Sequence, residues 1–342
     1  MSAPASHMLL ETGEAADAVE RLLSREVSTV ADLARRIGKR RPTVVTTAAR
    51  GSSDHAATYF KYLYEICCGT PVASIGPSVA SVYQAPLHLE NGVHLTVSQS
   101  GASPDIVALQ AAAKTAGALT VAFVNATGSP LAREADVVVP LHAGPEKSVA
   151  ATKSFIASCA ALAALTAEVA GDADMAVGLR ALPRRLATSP ADWRGMEEVL
   201  RGTTSFYTAG RGPGYAIALE AALKAKETAA LHAEAFSLAE MMHGPMRLAG
   251  TDFPILAFVP DDRALPHSDA AIRRLSETGV PVLSISTTPL PGLNVRVPST
   301  GNGLIDPIAF VTDYYRLIEL VTRKRGFDPD APGSLKKVTQ TI

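Results

Sequence analysis

Val93-His94-Leu95-Thr96-Val97-Ser98-Gln99-Ser100-Gly101-Ala102-Ser103-Pro104 runs from an apolar segment of strand length, through a hydroxyl-rich loop, into a helix start. Ser103 has the chemistry of an N-cap. Pro104 suits the first helical position, because the N–H it lacks is one that a helix start leaves unbonded anyway. The same alternation surrounds this unit. Runs at Thr43 to Ala48, Val72 to Ile75, Leu119 to Val124 and Val137 to Leu141 are separated mostly by helical patterns. That is the signature of an α/β fold with a doubly wound parallel sheet. Gly171 to Trp193, with Pro183 and Pro190, reads as a helical linker. The alternation then resumes with Ser205 to Ala209, Pro254 to Val259, Val280 to Ser286 and Asn294 to Val297.

The second stretch reads as a degenerate copy of the first. Thr47-Ala48-Ala49-Arg50-Gly51 lies 161 residues before Thr208-Ala209-Gly210-Arg211-Gly212, and both follow a predicted strand and open a predicted helix. Val97, Pro104 and Ile106 lie 162 residues before Val259, Pro266 and Ser268, with Lys114-Thr115-Ala116-Gly117 matching Ser276-Glu277-Thr278-Gly279. Matched punctuation at two places points to internal duplication of one α/β unit. The copies differ where chemistry would sit. Ser98 to Ser103 is hydroxyl-rich, whereas Pro260-Asp261-Asp262-Arg263-Ala264-Leu265 is charged, so only the first copy is expected to hold an anion.

Composition narrows the function classes. The 342 residues suffice for two ordinary domains, and 47% hydrophobic content suits packed cores. Lys and Arg, 32 together, nearly cancel 33 Asp and Glu, which gives no bulk attraction to nucleic acid or an anionic membrane. Cys67, Cys68 and Cys159 form neither a CxxC pair nor a Cys/His ladder, so neither a disulfide scaffold nor structural zinc is expected. Met1 to Met8 lacks the basic and apolar succession of a signal peptide, and a cytoplasmic location is expected. Phe155 to Ala170, Ala-rich and carrying Glu168, is too short to span a bilayer and reads as a buried helix.

In an open parallel sheet the ligand lies beyond the carboxyl ends of the strands, where loops feed helix N-termini. Ser98 to Ser103 occupies such a loop, and the free N–H groups of the helix it opens suit a phosphate. Arg50-Gly51-Ser52-Ser53-Asp54 is a second such loop. Alone, these serines fit caps and turns equally well. Glu220, Lys224 and Glu227 share one face of a helix beginning near Pro213, a spacing that also fits an exposed ion-paired stripe. The following Leu231-His232-Ala233-Glu234-Ala235-Phe236, Glu240 and His243-Gly244-Pro245 mix apolar and ionisable residues as a cleft lining does. Gly210-Arg211-Gly212-Pro213-Gly214 resembles a dinucleotide fingerprint, but Tyr215 stands at its third glycine and no acidic residue ends a following strand. There is no HExxH and no basic stripe with aromatics. Tyr59, Phe60, Tyr62 and Tyr64 suit a core or dimer face.

Together, Arg50-Gly51-Ser52-Ser53, Ser98-Gln99-Ser100-Gly101, Val149-Ala150-Ala151-Thr152-Lys153, Leu219-Glu220 through Lys224, Lys226-Glu227, His232-Ala233-Glu234-Ala235, His243-Gly244-Pro245 and Leu335-Lys336-Lys337-Val338-Thr339 resemble the double sugar isomerase (SIS) domain proteins. Similar members are the isomerase half of glucosamine-6-phosphate synthase and the SIS-type glucosamine-6-phosphate deaminases. The resemblance implies two tandem flavodoxin-like SIS domains, at residues 39–175 and 195–325. A helical segment 1–38, a linker 176–194 and a tail 326–342 that closes the active site complete the layout. It also implies that Ser53, Ser98, Gln99, Ser100 and Ser103 bind a sugar phosphate and that Ser52 and Val149 line the sugar. Glu227 would move a proton between C1 and C2 with Lys224 beside it, His243 would open the ring from a neighbouring subunit, and Lys337 would meet the open-chain sugar. A homodimer with shared active sites follows, with no cofactor or metal, no nucleic acid and no membrane.

The expected reaction is glucosamine 6-phosphate plus water giving fructose 6-phosphate plus ammonia. Phosphosugar isomerisation, ammonia-dependent synthesis, fructosamine-phosphate deglycation or silent sugar-phosphate sensing are the alternatives. Ser103 stands where the synthases usually have threonine, which keeps the hydroxyl, and Arg50 stands where they have a smaller residue, which favours the deaminase branch. The first strand comes too early to leave room for a glutaminase domain ahead of it, so glutamine is not expected as nitrogen donor.

Overall fold

Among residues 4–188 and 192–333, which the computed structural model describes, ten strands form two parallel sheets. The first holds β1 (Val45–Ala48), β2 (Val72–Ser74), β3 (Val93–Ser98), β4 (Leu119–Val124) and β5 (Val137–Pro140) in the order β2-β1-β3-β4-β5. The second holds β6 (Ser205–Gly210), β7 (His232–Ser237), β8 (Ile255–Val259), β9 (Val282–Ser286) and β10 (Leu293–Arg296) in the order β10-β9-β8-β6-β7. Numbered from its own first strand, each sheet is 2-1-3-4-5, the doubly wound order expected of a duplicated unit. The first sheet lies in a compact unit of Asp17–Glu146 and Lys153–Arg180. The second lies in a unit of residues 4–16, Lys147–Thr152 and 181–333.

The duplication extends to backbone angles. Gly51 (φ 53°, ψ −133°) and Gly212 (φ 56°, ψ −134°) each precede a helix, Ser52–Cys68 and Pro213–Ala229 respectively. A side chain at such angles would clash with its own backbone, so glycine is needed at both places. Both helices end on a left-handed residue, Gly69 and Ala230.

The continuous apolar runs are central strands. β4 is buried throughout, and β3 along all but its last residue, as strands covered by helices on both faces must be. The helix Lys153–Ala170 starts two residues earlier than the sequence suggests. It is long and apolar enough to cross a membrane by length and composition, yet most of it is buried in the protein interior. Tyr59, Phe60 and Tyr64 are core residues, the last two with ring centroids 5.0 Å apart.

One strand departs from the sequence expectation. His232–Ser237, read as cleft lining, is edge strand β7, in register with β6 from Ser205↔His232 to Gly210↔Ser237. Its residues are mostly exposed or half-buried, so it carries no apolar run.

Candidate active site

In the first unit, β1 and β3 are neighbours, with Ala48 opposite Thr96. The chain leaves β1 for β2 on one side and reaches β3 on the other, which makes their carboxyl ends the switch point where such sheets bind ligands. Six predicted residues gather on the loops at this edge. Ser52 and Ser53 open the helix after β1, Ser98 ends β3, and Gln99, Ser100 and Ser103 lead into the helix Pro104–Thr115; all six are half-buried.

Loop geometry is fixed mainly by backbone bonds. The Gly101 N–H donates to Ser98 Oγ at 2.9 Å, Ala126 N–H to the Gln99 carbonyl at 3.2 Å, and Leu131 N–H to the Gly101 carbonyl at 3.1 Å. Gly101 is left-handed (φ 60°), and a Cβ there would lie 2.2 Å from Ser129 Oγ. Only glycine lets this loop pass so close to Ser129. Ser103 is the N-cap residue expected, with Pro104 in the first turn, yet its side chain makes no capping bond. Its hydroxyl is therefore not committed to the helix it opens.

Sequence reasoning missed the charge pair beneath this loop. Arg50 Nε and Nη2 donate to Asp105 Oδ2 at 3.1 and 2.6 Å. The Asp105 side chain is fully buried in the first helical turn, and Arg50 remains about half exposed. Asp105 also accepts the Ile106 N–H at 2.8 Å. Arg50 thus ties the loop after β1 to the helix after β3. Burial raises the Asp54 carboxyl above the ordinary aspartate value, opposed by nearby His55 and Arg50.

The second unit holds the predicted acid–base groups. Glu220, Lys224 and Glu227 share a face of the helix Pro213–Ala229, but they are not an exposed stripe. The Glu220 and Lys224 side chains are buried at 0% and 1% exposure, and Glu227 reaches the surface at 24%. Lys224 Nζ lies 2.5 Å from Glu227 Oε2 and 3.2 Å from Glu220 Oε1. Tyr315 Oη, on the neighbouring helix Asp306–Lys324, donates to Glu220 Oε1 at 2.8 Å. Burial alone would push the Lys224 ammonium down, but the two carboxylates more than offset it and hold its pKa above the ordinary lysine value. A lysine so held stays charged. It is suited to orienting Glu227 and stabilising an anionic intermediate rather than to forming an imine.

Glu227 borders a cavity of about 520 Å³ whose other wall includes Phe327, Ala331, Pro332 and Gly333. This volume is in the range of small-ligand sites. Val149 is half-buried, and its N–H donates to the Asp330 carbonyl at 3.4 Å. His243 is exposed, two residues past the short helix Leu238–Met241. Lys337 lies outside the described residues.

The SIS domain model matches residues 42–168 and 200–291. The chain is 32% identical over 304 residues to the glutamine–fructose-6-phosphate aminotransferase (isomerizing) of Thermotoga maritima, and 33% over 303 residues to that of Pyrobaculum aerophilum. Each alignment covers 84% of this chain, which spans about half the length of those relatives. Among solved structures, a Silicibacter pomeroyi DSS-3 protein provisionally assigned as a phosphosugar isomerase superposes with a TM-score of 0.89 at 41% identity, covering 95% of this chain and all of the other. The C-terminal domain of the Francisella tularensis glucosamine-fructose-6-phosphate aminotransferase shares the fold, with a TM-score of 0.83 at 24% identity over 96% of this chain and 98% of that one. With two sheets of the same order and a family match over both, the chain is a member of the SIS domain family.

Proposed function

We propose that the chain is a phosphosugar enzyme that converts glucosamine 6-phosphate and water into fructose 6-phosphate and ammonia. The observation that carries this reading is the Glu220–Lys224–Glu227 cluster. A carboxylate is held by a buried, charged lysine at the edge of a ligand-sized cavity, in a chain homologous to the isomerase half of an aminotransferase. Ser53, Ser98, Gln99, Ser100 and Ser103 bind the 6-phosphate, and Ser52 and Val149 line the sugar.

His243 transfers the proton that opens the ring, leaving an aldehyde at C1 and the amine at C2. Glu227 removes the C2 proton, whose electron pair forms the C1–C2 double bond of an enolamine, with Lys224 stabilising the charge that develops at the C1 oxygen. Protonation of the C1 oxygen and return of the abstracted proton to C1 leave a protonated imine at C2. Water adds to C2, the C–N bond breaks and ammonia departs, leaving the C2 ketone of fructose 6-phosphate. His243 is exposed in the single chain, which suits a role in the site of a second subunit, and Lys337 meets the open-chain sugar. A homodimer is part of the proposal.

Ammonia release from a panel of amino-sugar phosphates tests the reading, with glucosamine 6-phosphate expected to react and glutamine not to serve as nitrogen donor. Ammonia-dependent synthesis is the same route run backward and would appear as glucosamine 6-phosphate formed from fructose 6-phosphate and ammonium. Absence of turnover with every amino-sugar and ketosamine phosphate, despite binding, would replace the enzyme reading with sugar-phosphate sensing.

A further inference from the structure

The first helix, His7–Gly13, makes two carboxylate-to-amide links within the second unit. At its start, Asp330 accepts the His7 N–H through Oδ2 at 2.7 Å and the Met8 N–H through Oδ1 at 2.8 Å. At its other end, Glu11, only 4% exposed, accepts the backbone N–H groups of Lys147 and of Ser148, the latter at 3.2 Å. Asp330 adds a third link, because its carbonyl accepts the Val149 N–H. The segment around Asp330 is also a wall of the Glu227 cavity, formed by Phe327, Asp328, Ala331, Pro332 and Gly333.

We propose that this helix is a clasp that positions the Val149 loop and the cavity wall facing Glu227, with Asp330 and Glu11 as its positioning residues. Two physical points support the assignment. A carboxylate at a helix start meets unpaired N–H groups and the positive end of the helix dipole, so Asp330 is well held. A carboxylate as buried as Glu11 is costly unless it is fully hydrogen-bonded, and it accepts from the two amides preceding Val149. The helix has further anchors besides these links. Met8 is fully buried, and Ser6 Oγ donates to Glu319 Oε1 at 2.6 Å. The links therefore constrain the loop and the wall more than the helix.

The catalytic part of this proposal rests on the reading that Glu227 and Val149 face the sugar. The test uses Asp330→Ala, Glu11→Ala and the double variant of the full chain, followed by amide hydrogen exchange, kcat, KM and inorganic phosphate affinity. Each variant is expected to stay folded and to exchange faster at residues 147–150 and 327–333 together. Turnover is expected to fall about tenfold or more, since small misplacements at reacting groups are costly. Phosphate affinity should stay within about twofold, because the hydroxyl loops are untouched, and the double variant should fall no further than the worse single. Asp330→Asn, which keeps an acceptor oxygen, should regain part of the loss.

Faster exchange confined to residues 7–13, or unchanged kcat in folded variants, would overturn the clasp. Independent losses that multiply in the double variant would also overturn it. Wild-type protein that releases no ammonia, with exchange raised in both segments of the variants, would instead refute the reaction and leave the clasp standing.

Discussion

Arg50→Ala is expected to weaken binding of every phosphorylated substrate while sparing kcat. The guanidinium is the counter-charge of Asp105, fully buried in the first turn of the helix whose N-terminus faces the hydroxyl loop. Removing it takes a positive charge away from a buried carboxylate near the proposed phosphate. Because Arg50 is half exposed and solvent screens the interaction, the loss of this unit charge is expected to weaken dianion binding by about 1–2 kcal/mol, or about 5–30-fold in KM. Stability should fall as well. Breaking a fully buried pair costs about 3–5 kcal/mol, but Arg50 is half exposed and the loss should be about 1–3 kcal/mol. Steady-state kinetics with glucosamine 6-phosphate and calorimetric titration with inorganic phosphate measure the binding term. Asp105→Asn in the same background removes the carboxylate charge and should recover most of the affinity. An unchanged KM, or a double variant as weak as the single, would refute the electrostatic argument and leave Arg50 as a structural tie between two loops.

Glu227→Gln keeps the shape of the side chain and removes the base, so kcat should fall about 10²–10⁴-fold with substrate affinity largely retained in equilibrium binding. Gly101→Ala must take a left-handed angle and push Ser129 aside, so a loss of about 1–3 kcal/mol in denaturant unfolding and a raised KM are expected. His94, buried on β3 with Thr46 Oγ1 2.9 Å from Nδ1, has its pKa lowered to about 4 by burial. Between pH 6.5 and 4 the unfolded chain therefore binds the extra proton and the folded chain does not. Stability should fall across that window as pH drops, by up to about 3 kcal/mol, and His94→Gln should flatten the pH dependence of unfolding.

Buried parallel strands were legible because both faces are covered, so their apolar runs are continuous. β4 matches its expected span, Leu119 to Val124, residue for residue. β7 was not, because an edge strand reading His-Ala-Glu-Ala-Phe-Ser has no such run. The duplication would have found it, since β2 shifted by 161 residues falls on 233–235, inside His232–Ser237. The six serine and glutamine positions were legible as strand-end loops with helix-start chemistry, and the structure gathers them on one edge. The Arg50–Asp105 pair joins residues 55 apart, and the Asp330 bonds to the first helix join residues more than 320 apart. Neither leaves a periodic or local pattern in the sequence, since what joins them is the packing of the finished fold.

The duplication also bears on why a buried ion cluster exists. The helices Ser52–Cys68 and Pro213–Ala229 are equal in length and begin after matching glycines, so Glu220, Lys224 and Glu227 correspond to Tyr59, Leu63 and Ile66. In the first copy Tyr59 and Leu63 are fully buried core residues and Ile66 is 55% exposed. The same positions of one scaffold are thus filled by ordinary packing in one copy, so the fold itself does not demand charges there. Buried ion pairs seldom stabilise a protein more than apolar residues of similar size, because desolvation offsets their attraction. The second copy nevertheless holds a lysine at full burial, and the Tyr315 hydroxyl secures one of its two carboxylate neighbours. That neighbour, Glu220, stays behind in the core, while Glu227 emerges at the cavity. An arrangement that contributes little to stability and presents one oriented carboxylate to a cavity fits the proton transfer at carbon proposed for Glu227.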